Sequence, residues 1–330
     1  MLRRTGFCAT ALVLSAGSAL ALEAVSFGTN WLPQAEHGGF YQSVADGTYA
    51  ACGLDVTIVP GGPQVNNRAM MMADRIQFYM GGDMLLAFDA VAQGVPVVSV
   101  MAAFQKHPQV ILSHPGEADT WEELKGLTLL IGDAGFVSYY QWMMAEHGFT
   151  AEQRQTYTFN PAPFIVDPRK GMQGFVSSEP YTIERETGWA PNVFLIADHG
   201  YSTYSTTVET MRTTLETRPE VVKCFVDGSI LGWYNYLYGD NAAANAMIIA
   251  SNPDMTQDRI DYAIAKMIER GIVDSGDALD YGIGVMTEAK VEDFYTKMRN
   301  AGVITDEIDW KAAFTTVFVG QGLGRDLRPN

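Results

Sequence analysis

Two α/β lobes with a helical C-terminal part are the fold class this sequence predicts. Three observations carry it. Strand-like apolar runs alternate with helix-like segments up to about residue 200, the pattern of a parallel sheet with crossovers. After about Tyr201 the pattern shifts to long helices. No flexible linker or low-complexity tract divides the α/β stretches, so strands join the lobes and leave a cleft, a favoured place for a ligand.

The elements follow in order. "AVSFGTNW" reads as the first strand, and "GGFYQSVADGTYAACG" as a helix stopped by Gly53. "LDVTIVPGG" alternates apolar residues from Leu54 to Ile58 and reads as a strand. A short helix ("QVNNRAMMMAD"), a strand ("IQFYMGG"), a helix ending at Gly94 and a strand ("VPVVSVMAAF") complete this unit. Met70, Met71 and Met72 in the short helix read as core packing. "PQVILSHPG" is an extended strand leaving it. "TWEELKG" is a helical turn with Thr120 as N-cap and Glu123 three residues on. "LTLLIGDAG", "QTYTFN", "GMQGFVSSEPY" and "NVFLIADHG" are strand-like, with a helix at "VSYYQWMMAEHG". The segment from "VETMRTTLETRPEVV" to "NYLYG" reads as helical, as do "TQDRIDYAIAKMIERG" and "EAKVEDFYTKMRNAG". The expected organisation is an export segment over 1–21, the first part of lobe I over 22–112 and lobe II over 113–200. The return to lobe I and the C-terminal helices take 201–330.

Composition bounds the function. The 330 residues are 47% hydrophobic and carry a formal net charge of −16. No Lys/Arg cluster appears, so nucleic acid is not an expected partner. Arg3 and Arg4, an apolar run from Phe7 to Leu14 and Ala19-Leu20-Ala21 form a cleavable signal peptide. The run is too short to span a bilayer, and Cys8 lies too early to be a lipidated residue. The mature chain keeps Cys52 and Cys224. In an oxidising compartment they could pair, but two separate, partly buried thiols are the expected state.

Three motifs carry candidate chemistry. "TNWLPQAEHGGFYQS" groups Asn30, Trp31, Glu36, His37 and Tyr41. There is no H-E-x-x-H, and the other histidines are scattered, which disfavours metal binding and catalysis. Trp31 and Tyr41 suit stacking on a flat polar ring. "YMGGDM" places Gly81, Gly82 and Asp83 at a strand end before a helix, where open α/β sheets bind ligands. It is not a phosphate loop. Asp83 also reads as an N-cap, and the glycines permit close backbone approach. "GFVSSEPYTIERETG" offers Glu179 and Tyr181, where a carboxylate could accept hydrogen bonds from an amino-substituted ring. "YSTYSTT" places Tyr204 at the return crossover.

The ordered set "NWLPQAEHGGFYQSVADGTYAACGLDV", "YMGGDMLLAFDAVAQGVPVVSV" and "SSEPY" resembles the solute-binding proteins of ABC importers related to thiamine-pyrimidine synthase and to sulfonate- and nitrate-binding proteins. The match covers most of residues 25–200. The resemblance implies a type II periplasmic-binding-protein fold closing on its ligand by hinge motion, and delivery to a membrane permease and ATPase. It implies a monomer in the periplasm with no cofactor. Related proteins bind aminopyrimidine thiamine precursors, riboflavin, sulfonates or nitrate. For pyrimidine binders it implies a cleft lined by Trp31, Tyr41 and Glu179. None of the candidate ligand residues is an arginine, which disfavours sulfonate and nitrate. The fungal synthase is the enzyme alternative. It uses a cysteine-rich cluster and a Lys and a His after the third strand, where this chain has Asp83 and Ala87. The expectation is therefore a non-enzymatic binder of a planar nitrogen heterocycle such as an aminopyrimidine.

Overall fold

The computed structural model describes residues 21–329, so the predicted export segment up to residue 20 lies outside it. Among the described residues ten strands form two five-stranded sheets. They are β1 (Glu23–Gly28), β2 (Leu54–Val59), β3 (Phe78–Met80), β4 (Val97–Phe104), β5 (Gln109–Ser113), β6 (Thr128–Ile131), β7 (Arg154–Thr156), β8 (Lys170–Phe175), β9 (Asn192–Leu195) and β10 (Ser205–Met211). Lobe I has the order β2-β1-β3-β10-β4 and lobe II the order β7-β6-β8-β5-β9. Each sheet takes one antiparallel strand from the chain's passage between lobes, β10 in the first and β5 in the second. The other strands therefore end on the facing edges, where the two lobes form their cleft.

Helices α1 (Gly38–Ala45), α2 (Thr48–Ala51), α3 (Asn67–Met72) and α4 (Met84–Ala92) connect the strands of lobe I. Of the three methionines expected in the core, Met71 is buried and Met70 half-buried, but Met72 is 48% exposed, because consecutive helix positions cannot all face the sheet. Helices α5 (Asp133–Phe136), α6 (Tyr139–His147), α7 (Ala162–Val166) and α8 (Glu179–Thr187) belong to lobe II. After β10 come α9 (Arg212–Thr217), α10 (Pro219–Tyr238), α11 (Ala242–Ser251), α12 (Gln257–Glu269), α13 (Asp277–Tyr281) and α14 (Glu288–Asn300). The expected capped turn is present: Glu123 Oε2 accepts from the Thr120 amide at 2.9 Å, and the Glu123 amide donates to Thr120 Oγ1 at 3.4 Å.

Four expectations need correction. The lobe boundary is not at residue 112. Strand β5 already belongs to the second sheet, so the chain crosses over residues 105–108 and returns over 200–204. The segment expected to be helical from Val208 begins as strand β10. Its Thr206, Thr207 and Glu209 are buried between β3 and β4, and Glu209 is paired to Arg68 at 3.0 Å. Polar side chains there mimic a helix surface, although β-branched residues suit a sheet. The helix expected from Gly38 to Gly53 breaks at Gly47, which adopts φ +76°. Finally, Cys52 and Cys224 are joined as a disulfide with Cα atoms 5.8 Å apart. Helix α2 lies on α10, with Tyr49 stacked on Phe225 at 5.1 Å, and this brings the two sulfurs together. Closing a loop of 172 residues is worth roughly 2–4 kcal/mol.

The lobe I core is an aromatic stack. Phe225 of α10 lies parallel to Phe78 at 4.1 Å and against Phe27 at 5.2 Å. Helices α1 and α10 approach closely because both carry glycines at the crossing. A Cβ on Gly232 would lie 2.2 Å from the Gly39 carbonyl oxygen, and one on Gly39 would strike the Trp233 ring. The glycine pair of "EHGGFY" thus serves helix packing. Gly232→Ala is expected to destabilise the fold by about 1–3 kcal/mol, the cost of overpacking, read as a lowered urea midpoint with an unchanged slope.

Candidate functional site

The cleft holds a cavity of about 590 Å³ at the carboxyl ends of the strands. Its lining comes from the start of α4 (Gly82 to Phe88), the first crossover (His107, Gln109), the α5–α6 region (Gly135, Tyr139), the end of β8 (Gln173, Phe175) and the segment 303–308. Both lobes therefore contribute. The size is that of a ligand pocket, and most of the lining is apolar or aromatic. Among the described residues no Lys or Arg lines this cavity; the charged lining groups there are Asp83, Asp89 and Asp306.

Asp83 organises the hinge end. It is the N-cap of α4, with Oδ1 accepting from the Leu85 amide at 3.0 Å and the Leu86 amide at 3.4 Å. Its Oδ2 accepts from the Tyr201 hydroxyl at 3.1 Å and lies 3.7 Å from His107 Nε2. His107 stands edge-on to Phe175 and Tyr201 and accepts on Nδ1 from the Gln109 amide at 3.1 Å. Burial lowers the His107 pKa and the Asp83 charge opposes that, so the ring is neutral at neutral pH. Gln173 Oε1 accepts from the Gly132 amide at 2.7 Å and from the Tyr139 hydroxyl at 3.0 Å.

The glycines of "MGGD" are there for packing. A Cβ on Gly81 would lie 2.5 Å from Glu209 Oε1 and from Thr207 Oγ1, and one on Gly82 would lie 2.8 Å from Leu86 Cδ1. Asn30 steadies this turn by donating to the Gly81 carbonyl at 3.3 Å.

The remaining expected residues fall elsewhere. Trp31 is half-buried on lobe I, and its ring meets Phe159 of lobe II at 5.7 Å, spanning the cleft. Tyr41 is not a cleft residue. It is 3% exposed within the lobe I core, and burial raises its pKa to about 12. Tyr204 is likewise buried, its hydroxyl donating to Asp277 at 2.5 Å while accepting from the Thr287 amide at 3.0 Å. Both are conspicuous aromatics near ligand motifs, but Tyr41 turns to the core side of α1 and Tyr204 toward the C-terminal helices. Tyr181 packs on Tyr262 at 5.2 Å, beside a void of only about 10 Å³ lined with Glu36, Ser177 and Arg259.

Glu36 is buried where the lobes touch and accepts from Ser177 at 2.5 Å. Burial raises its pKa above the ordinary carboxylate value, against the effects of Ser177 and Arg259. Glu179 accepts from the Phe175 amide at 2.6 Å, and its pKa is raised by burial and by the Glu36 charge. Neither carboxylate lines the large cavity. Of the residues expected from sequence, Gly82 and Asp83 alone do. The motifs do not single out His107, Gln109, Tyr139, Gln173 or Phe175. Only the last two carry a signal in the sequence, since they end a strand-like run.

His37 is 1% exposed with Nδ1 unpartnered, and burial lowers its pKa to about 3. Among the described residues, no group of three His, Cys, Asp or Glu side chains is placed to hold a metal. No helix among them is long and apolar enough to cross a membrane.

Known proteins are similar to this chain in sequence and in fold. Residues 34–244 match the family model described as NMT1/THI5 like. The riboflavin-binding protein RibY of Chloroflexus aurantiacus is 23% identical over 315 residues, covering 91% of this chain and 87% of the relative. The periplasmic aliphatic sulphonate binding protein SsuA of Escherichia coli superposes with a TM-score of 0.60 at 14% identity, over 89% of this chain and 92% of that one. A mutant of DszB in complex with biphenyl-2-sulfinic acid gives 0.61 at 10% identity, over 92% and 99%, and DszB is described as a desulfurization enzyme. These likenesses show the two-lobed periplasmic-binding fold, which carries both binders and an enzyme.

The buried His37 gives a pH prediction. The folded state keeps the ring neutral, whereas the unfolded chain takes up a proton below about pH 6.5. Stability therefore falls as pH drops from 6.5 toward the folded value of about 3, by about 2 kcal/mol at pH 5. Glu36 and Glu179 act in the opposite sense, since their raised pKa values favour proton uptake by the fold. His37→Gln is expected to be less stable than the parent at pH 7.5, with the gap narrowing at pH 5. Urea midpoints at the two pH values measure this; a constant gap would contradict it.

Proposed function

The chain belongs to the NMT1/THI5-like family, and from that premise we propose that it is the exported solute-binding component of an ABC importer, taking an uncharged or basic nitrogen heterocycle. The observation that carries the ligand class is the charge of the cleft. Among the described residues its cavity is lined by three aspartates and neutral groups, with no Lys or Arg. The α4 N-terminus, a natural anion site, is already occupied by the protein's own Asp83 carboxylate. A sulfonate would meet repulsion there, so the fold shared with SsuA does not carry its ligand across. The aminopyrimidine expected from sequence remains within this class. The riboflavin named for the 23% identical relative is the second reading, favoured by a cavity of about 590 Å³ that exceeds a single pyrimidine ring.

Export is supported by the signal-peptide-like pattern expected over residues 1–21 and by the Cys52–Cys224 disulfide, which suits an oxidising compartment. The partners would be a permease and an ATPase, with the chain acting as a monomer. Catalysis has less support: Asp83 and Ala87 occupy the positions where the related synthase carries its Lys and His.

A thermal-shift panel of an aminopyrimidine thiamine precursor, riboflavin, an alkanesulfonate and nitrate tests the ligand class. A ligand at a hundred times its Kd adds about 2.7 kcal/mol, several degrees of Tm. Heterocycles are expected to raise the melting point and the anions to leave it unchanged; the reverse would refute the reading. Trp31 stands outside the cavity lining and meets Phe159 across the cleft, so Trp31→Ala is expected to weaken the bound heterocycle about tenfold by removing a contact between the lobes, with a small effect on the unliganded Tm. Calorimetric titration beside a melting curve separates the two, and unchanged affinity with a large loss of Tm would mark Trp31 as core.

A further inference from the structure

Building on the heterocycle reading, we propose that His107 and Asp83 are the ligand-reading pair of the cleft, and that they take a ring edge carrying an N–H donor beside an acceptor. The cyclic imide edge of a flavin and the amino-and-ring-nitrogen edge of an aminopyrimidine are both of this class.

Proton placement comes first. The Gln109 amide donates to His107 Nδ1 at 3.1 Å, so the neutral ring carries its hydrogen on Nε2. That Nε2 lies 3.7 Å from Asp83 Oδ2, beyond hydrogen-bond reach. The two groups therefore do not satisfy each other, although they sit side by side on the wall of one cavity. Asp83 Oδ2 receives the Tyr201 hydroxyl and keeps acceptor capacity to spare.

The pair is also rigid. Phe175 and Tyr201 flank the imidazole edge-on, and the two amides on Oδ1 hold the carboxylate. A donor and an acceptor locked next to each other match a ligand edge offering the complementary pair, with little ordering left to do on binding. Gln173 extends the pattern. Its Oε1 is consumed by Gly132 and Tyr139, which leaves its amide N–H groups as further donors at the same wall.

The test blocks one half of the ligand's edge. Riboflavin is compared with 3-methylriboflavin, and an aminopyrimidine with its N,N-dimethylamino counterpart, by calorimetric titration of the full-length mature protein. Methylation is expected to weaken binding tenfold or more. His107→Leu, which removes the donor and keeps the bulk, is expected to weaken the unblocked ligand about tenfold, and His107→Gln, which restores a donor, to recover part of it. Asp83→Asn keeps the helix cap and is expected to shrink the methylation penalty. Should His107→Leu fold poorly, the analogue comparison on the parent protein decides alone. Blocked analogues binding as tightly as their parents would overturn this inference and leave the heterocycle reading standing. Failure of both parent compounds to bind would overturn that reading, and the inference with it.

Discussion

The Asp83 carboxylate has two oxygens and serves three parts of the molecule. One oxygen caps α4; the other takes the Tyr201 hydroxyl from the return crossover and faces His107 on the outward crossover. Its backbone also bridges to Ser205, where β10 begins. Lobe I, both connections between lobes and one wall of the cavity are thus referenced to one side chain. A cap alone is worth about 1 kcal/mol. The larger consequence is geometric, because the crossovers leave the lobe at a set position and the cavity inherits that position.

The C-terminal helices brace the same crossovers from behind. Lys290 of α14 donates to the Gln105 carbonyl at 2.7 Å and lies 4.1 Å from the centre of the Tyr204 ring. Burial lowers its pKa to about 8, offset by Asp277, which also receives Tyr204 and Thr287. The Ile272 carbonyl takes the amides of Gln105 and Lys106. Backbone groups that would be orphaned in a connection between lobes find partners in the helical part. This gives the C-terminal helices a role in holding the crossovers, while the segment 303–308 beyond α14 lines the cavity.

Electrostatics set the character of the cleft. The chain carries a net charge of −16, and its cavity keeps the same sign. Beside it, Glu36 and Glu179 come from opposite lobes, and each is raised chiefly by burial, Glu179 also by the Glu36 charge. Burial where the lobes meet desolvates these acids, and for Glu36 the Ser177 hydroxyl and the nearby Arg259 offset part of that cost. This balance underlies the proposed preference for a solute that brings N–H donors.

Much of the fold is legible in local pattern. The alternation of strands and helices, the cap at Thr120 and the N-cap at Asp83 are short-range features, and residues close in sequence decide them. Strand β10 reads as helix because burial on both faces of a central strand cannot be seen in "STTVETM" itself; Arg68, from a distant helix, makes Glu209 tolerable there. Tyr41 and Tyr204 look like ligand aromatics, since a motif shows which residue is present and not which way it points. Asp83 is visible as a helix start beside a strand end. His107 stands alone in a crossover, and only the folded chain sets it 3.7 Å from that carboxylate. The two-lobed architecture, the family pattern and the acidic balance thus needed nothing beyond the order of residues, because they follow from periodicity, spacing and composition. The disulfide, the hinge and the walls of the cavity came only with folding, because each is a meeting of groups far apart in the chain.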